Sequence, residues 1–209
     1  MKQVWRYGGV AASAVLIVIG VVSIVVAVSG RSEVRTDIQR EAIVGTPDMT
    51  PKAIAPEVSK AGLTNVSLPS CSVAGQKVDT GSEAKCFASY MRIHTLMATG
   101  GKTYAEMPRY ATADGKGTND ENAALKQGGQ PVDNPQRNIW INETALATAL
   151  NTSFFAERVS VFSLVMGIAL LLTGIGFLVL TISLLKPAER SEPAAATEAQ
   201  RAPVPAASS

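Results

Sequence analysis

Several residues have the types and spacing that could support chemistry. Gly100-Gly101-Lys102-Thr103 matches the end of a phosphate-binding loop, in which backbone N–H groups cradle phosphates and the lysine answers their charge. The full motif needs a glycine five residues before Gly101, where Leu96 stands. It must also follow a strand, whereas a helical pattern precedes it here. No nucleotide is expected. His94 is the single histidine, so it cannot join a His-rich metal site. Its place on the shoulder of an apolar stripe reads as a partly packed surface residue. Asp114, Asp120 and Glu121 lack the alternating oxygens and closing Glu of a calcium loop. They read as solvated charge. Asn65, Asn142 and Asn151 open N-x-Ser/Thr tripeptides, which carry glycans only in a eukaryotic host.

Cys71 and Cys86 are the only cysteines. Two thiols and no third are what one disulfide needs, and disulfides persist outside the reducing cytosol. Two unrelated reduced cysteines are the alternative. No Ser-His-Asp, Cys-His or paired-carboxylate arrangement has supporting context. The expectation is therefore a protein with no catalytic residues, no cofactor and no metal.

The elements that carry these residues are set by two apolar blocks. Gly8–Gly30 and Val159–Leu185 contain no Asp, Glu, Lys, Arg or His. As helices they are about 34 to 40 Å long, enough to cross a ~30 Å hydrocarbon core. Within the 209-residue chain they leave 128 residues between them, Arg31 to Arg158. Five of the 19 basic and three of the 17 acidic residues lie outside that segment, so it carries 14 of each and is neutral. A neutral segment without a basic stripe argues against nucleic-acid binding. Nor does the sequence hold a polybasic cluster large enough for anionic-lipid recognition.

The first block exceeds the ~7 to 15 residues of a cleavable signal core, which favours an uncleaved anchor. The small residues of Ala27-Val28-Ser29-Gly30 keep cleavage open as the other reading. Trp5 and Tyr7 suit an interfacial aromatic belt. Lys2, Arg6, Lys186, Arg190 and Arg201 argue for cytoplasmic termini, while Arg31, Arg35, Arg40 and Arg158 argue the opposite. Long loops count weakly and the first span usually dominates. The expectation is a multi-pass plasma-membrane protein with both termini cytoplasmic and the cysteines outside.

The resulting fold class is a mainly α membrane protein. Two transmembrane helices form an antiparallel hairpin extended outside the bilayer, with a small helical or irregular extracytoplasmic domain between them. The divisions are a cytoplasmic N-terminus at 1–7, a first span at 8–30, an extracytoplasmic domain at 31–158, a second span at 159–185 and a disordered cytoplasmic tail at 186–209. Within the domain, helical extensions are expected over 31–43 and 139–158. Thr50-Pro51 predicts the start of a short helix. Residues 62–80 read as irregular, with a few strand residues around Val66. Thr80-Gly-Ser-Glu83 is a capping box predicting a helix over 82–98, with Cys86, Tyr90, Ile93 and Met97 on one face. Residues 109–138 are poor in large aliphatics and read as a long mobile loop.

The two extensions carry narrow apolar stripes. If Arg31 and Arg158 mark the same membrane face, Val34 stands level with Phe154 and Ile38 level with Leu150. Burying both stripes against each other would make a stalk. Packing each stripe on the intervening domain is the alternative. Inside the spans, Ser163 and Gly167, like Gly9 and Ser13, form small-xxx-small pairs that permit close helix contact.

Arg92-Ile-His-Thr-Leu-Met-Ala-Thr-Gly-Gly-Lys-Thr-Tyr-Ala-Glu-Met-Pro-Arg-Tyr, Glu143-Thr-Ala-Leu-Ala-Thr-Ala-Leu-Asn-Thr-Ser-Phe-Phe-Ala-Glu-Arg and Met166-Gly-Ile-Ala-Leu-Leu-Leu-Thr-Gly-Ile-Gly-Phe-Leu carry a family resemblance. The chain resembles a group of uncharacterised actinobacterial two-span membrane proteins, often labelled aromatic ring-opening dioxygenase small subunit. That label implies non-haem iron, for which one histidine and two spans offer no site. The resemblance implies a bacterial plasma membrane and this topology, and adds no activity. The expected role is a non-enzymatic envelope protein, structural or interacting. Its partners are the lipid bilayer and either another membrane protein or a second copy of itself. An accessory subunit of a transporter or channel is the alternative.

Overall fold

The computed structural model describes residues 2–184, with side chains over 7–183. The predicted tail at 186–209, Leu185 and the Trp5 side chain lie outside these described residues. Within them the protein is mostly helical: α1 is Lys2–Arg40, α2 Pro51–Lys60, α3 Gly81–Ala98 and α4 Pro135–Leu184. Two of the helices, α1 and α4, are long and apolar enough to cross a membrane. At 1.5 Å per residue, their 39 and 50 residues run about 58 and 75 Å. Both are therefore longer than a bilayer core.

α1 and α4 touch along most of their length, in opposite chain directions. A Cβ on Gly9 would meet Thr181, one on Gly20 would meet Leu171 and the Gly167 carbonyl, and one on Gly30 would lie 3.5 Å from Ser160 Oγ. Buried small residues recur every seven positions, Ser13, Gly20 and Ala27 on α1 facing Gly167 and Gly174 on α4. A seven-residue repeat keeps one seam facing the partner along two left-handedly coiled helices. Glycine at that seam lets the backbones approach until little but main chain lies between them. The large side chains consequently point outward: Val18, Val22, Val25, Phe162, Leu172 and Phe177 are exposed.

Between the long helices, the chain folds into a head with α3 at its centre. The Thr80–Glu83 capping box forms as expected, with Thr80 N–H donating to Glu83 at 2.9 Å. Thr50 caps α2 by accepting from the Ala53 N–H at 3.1 Å, and Pro51 occupies the first turn, where no N–H is needed. One face of α3, Cys86, Tyr90 and Ile93, packs on Met49, Ile54, Val58 and Val73, with Met97 at the margin. The opposite face, Ala84 and Ala88, packs on Ile38, Val78 and Leu150. α3 is thus buried on two sides, and its alanine side carries too little apolar area to show in a periodicity count.

Four features differ from the sequence expectations. The first extension stops at Arg40 rather than 43, because Ala42 adopts φ 48° and ends the right-handed turn. Ile43, Val44 and Gly45 then turn away, bonding and bridging to residues 74–78. Val66 lies in no strand but packs at the edge of the α2–α3 core. The second extension begins at Pro135, four residues early, since Asn134 Oδ1 accepts from the Gln136 N–H at 3.1 Å and a proline follows the cap. The segment 109–138 is not structureless. It contains a short hairpin, β1 Lys126–Gln127 with β2 Gln130–Pro131, and buried Tyr110 bridges to both Thr118 and Asp133.

Candidate functional site: the junction of the long helices and the head

The boundary between the apolar blocks and the head is built around one carboxylate. Glu157 lies two residues before the second apolar block and is 7% exposed. Its Oε1 accepts from Arg31 Nε at 3.0 Å and from Arg35 Nε and Nη2 at 3.1 and 2.9 Å. Its Oε2 accepts from the Gly81 N–H at 2.8 Å. Gly81 is the first residue of α3, so the carboxylate also faces the positive end of that helix. Burial pushes the Glu157 carboxyl upward, but the hydrogen bonds from Arg35, Arg31 and Gly81 outweigh it and hold the group below its ordinary value. Three separate helices converge on this side chain.

Gly81 has a steric reason for its identity. A Cβ there would lie 2.7 Å from Phe154 Cα and 3.0 Å from the Ser153 carbonyl oxygen, so only glycine lets the start of α3 sit flat on α4. Of the packing residues expected from sequence, Ile38 and Leu150 share one core with Val34 at its edge. That core also contains Val78, Ala84 and Ala88 from the intervening domain, so the stripes bury against each other and against the head together. Phe154 lies under the start of α3. Its backbone backs onto Gly81, and Lys85 and Arg158 stand 4.4 and 5.0 Å from its ring centroid. Gly167 is in the seam, where a Cβ would meet Ile24 and the Gly20 carbonyl, and Ser163 is half-buried beside it.

Cys71 and Cys86 are joined, with S–S at 2.04 Å. The bond ties the loop after α2 to the inner face of α3. Beside it, fully buried Tyr90 donates its hydroxyl to the Cys71 carbonyl at 2.6 Å. Burial, with the Asp48 charge nearby, pushes that phenol upward. Replacing both cysteines by serine is expected to lower stability by about 3 kcal/mol on the loop-entropy account for a separation of 15 residues. The midpoint of thermal unfolding checks this, and an unchanged midpoint would show the bond to be dispensable.

The remaining chemistry-bearing residues have local structural partners. Gly100 and Gly101 adopt φ 62° and 80° and close α3, with Gly101 N–H donating to Leu96 O and Gly100 N–H to Met97 O. This is the Schellman arrangement. The Lys102 carbonyl then accepts from the Trp140 indole at 2.8 Å, pinning α4 to the end of α3. His94 has a partner that sequence reasoning missed: its Nε2 lies 2.6 Å from Asp48 Oδ2. The Thr46 hydroxyl chiefly, helped by the backbone and His94, holds the Asp48 carboxyl below its ordinary value against the effect of burial. Both side chains are only partly buried.

A polar groove of about 250 Å³ lies between α3 and α4, lined by Ser89, Arg92, Glu143, Thr144 and Thr148 among others. Arg92 stands 5.1 Å from the Trp140 ring centroid. Among the described residues, no group of three or more His, Cys, Asp or Glu side chains could hold a metal ion.

Comparison with protein families, with curated proteins and with solved structures gives no match. The junction therefore has to be interpreted from its own geometry. Glu157, Arg31, Arg35 and Gly81 form no motif in the sequence. The available signal was the helix register: once Arg31 is set level with Arg158, the acid beside Arg158 falls opposite the Arg31–Arg35 turn.

Proposed function

We propose that this chain is a non-enzymatic integral membrane protein of the bacterial cell envelope, an interaction or structural protein that presents a rigid head above the plasma membrane. In this reading α1 and α4 form an antiparallel hairpin extended outside the bilayer, both termini are cytoplasmic, and the head is extracytoplasmic. The Glu157 junction carries the reading. A carboxylate shared by α1, α3 and α4 fixes the head's orientation on the paired helices, which a freely tethered domain would not need. The disulfide supports an extracytoplasmic head, and the family resemblance supports a bacterial membrane.

Two measurements test this reading. Gly30→Cys with Ser160→Cys should crosslink within one chain under mild oxidation, because those positions face each other where the apolar blocks end. Failure to crosslink in a folded, membrane-inserted protein would refute the hairpin. In intact cells, a membrane-impermeant thiol reagent should label Cys71 and Cys86 only after reduction. Labelling that requires breaching the membrane would reverse the topology. Copurification in mild detergent then separates the roles: a stable transporter or channel partner would make the chain an accessory subunit instead.

A further inference from the structure

We propose that the groove between α1 and α4 at the head-side end of the apolar blocks binds the phosphate of an anionic phospholipid. The groove has a volume of about 310 Å³ and changes character along its length. Val28 and Leu164 line its apolar part, while Arg31, Ser32, Arg35 and Ser160 line the other. The proposal rests on the membrane reading above, which places this change at the boundary between acyl chains and headgroups.

Charge and donor count select the ligand. Two guanidiniums share the single carboxylate of Glu157, which leaves one positive charge in surplus. Each guanidinium has five N–H donors in a planar fork. Glu157 takes one from Arg31 and two from Arg35, and no other hydrogen bond to them is found among the described residues. The Arg31 and Arg35 side chains are 45% and 39% exposed, so the free donors remain accessible. Glu157 holds both forks in place and reduces the ordering cost of binding. Arginine forks match phosphate geometry, and basic pockets between spans take anionic headgroups. A phospholipid also supplies acyl chains for the Val28 and Leu164 wall, which free phosphate cannot use. Sequence alone showed no polybasic cluster, because the site needs only two arginines one helical turn apart and a carboxylate 122 residues away.

The test uses the full chain reconstituted in phosphatidylcholine nanodiscs with and without phosphatidylglycerol, followed by native mass spectrometry of retained lipid. Wild-type protein should retain phosphatidylglycerol over phosphatidylcholine. Arg31→Gln should weaken that retention about fivefold, the usual effect of one basic residue at a membrane surface. Ser32→Glu, which adds an acid to the groove wall without altering Glu157, should weaken it comparably and so covers the case in which Arg31→Gln misfolds. Equal retention of both lipids, or phosphatidylglycerol retention unchanged in Ser32→Glu, would overturn the proposal. Displacement of the lipid by millimolar inorganic phosphate would overturn the lipid source in favour of free phosphate. Failure of the chain to enter either bilayer would overturn the membrane reading itself, an outcome distinct from equal retention by an inserted protein.

Discussion

Glu157→Ala is expected to destabilise the protein by about 2 to 3 kcal/mol, a drop in unfolding temperature of roughly 5 to 10 °C in detergent. The substitution removes the shared acceptor of Arg31 and Arg35 and leaves the Gly81 N–H, buried beneath α4, without a partner. Breaking a fully buried pair costs ~3 to 5 kcal/mol. The smaller figure applies because both arginine side chains are more than a third exposed and can be rehydrated. Glu157→Gln should lose less, since its amide oxygen can still accept from Gly81. The pH dependence follows from the direction of the shift. A carboxyl held below its ordinary value of 4.5 contributes fully above that pH and loses its contribution as pH falls through the lower folded-state value. Wild type should therefore lose stability on acidification below about 4.5, and Glu157→Gln should lack that part of the loss. An unfolding temperature unchanged in Glu157→Ala would remove the junction from the account.

The second large effect is expected in the seam. Gly167→Leu should part the two long helices, because its Cβ alone would lie 2.8 Å from Ile24 Cγ1 and 2.9 Å from the Gly20 carbonyl oxygen. Backbone cannot swing aside as a side-chain tip can, so the helices themselves must move. Overpacking of this kind costs about 1 to 3 kcal/mol or more, and the 30–160 cysteine crosslink should fall with it. Gly176→Leu is the internal control: nothing lies within 4 Å of its Cβ, so stability and crosslinking should match wild type. Equal behaviour of the two variants would mean that the helices do not meet at this seam.

Local chemistry was legible from the sequence to the degree that it involved neighbouring residues. Thr80 and Glu83 stand three apart and declare a helix start whatever surrounds them, and Thr50-Pro51 does the same. The two long apolar helices were legible because more than twenty successive uncharged residues are long enough as a helix to cross a membrane. Counting equal steps from two arginines set Ile38 and Leu150 at one height, and the two share one core. What could not be read was long-range or unsigned. Ala42 at positive φ has no compositional signal, since alanine there is held by the surrounding chain. The start of α4 was hidden because Asn134-Pro135 reads as loop and as helix cap with equal ease. The seven-residue spacing of Ser13, Gly20 and Ala27 is masked by the four-residue small-xxx-small pairs, although only the longer repeat follows the seam of two coiled helices. Glu157 has only the indirect signal of the helix register, because its partners lie 76 to 126 residues away.

That separation has a consequence for how the molecule is made. A ribosome delivers Arg31 and Arg35 first, then the start of α3, and Glu157 only after all of the head has been synthesised. Until then, Arg31 and Arg35 have no shared acceptor, and the Gly81 N–H has only water. Seating of the head is therefore tied in time to delivery of the second apolar block, which follows Glu157 by two residues. A chain that ended before Glu157 would have Cys71, Cys86 and most of the head in place, yet Arg31, Arg35 and the Gly81 N–H would lack the acceptor that joins them.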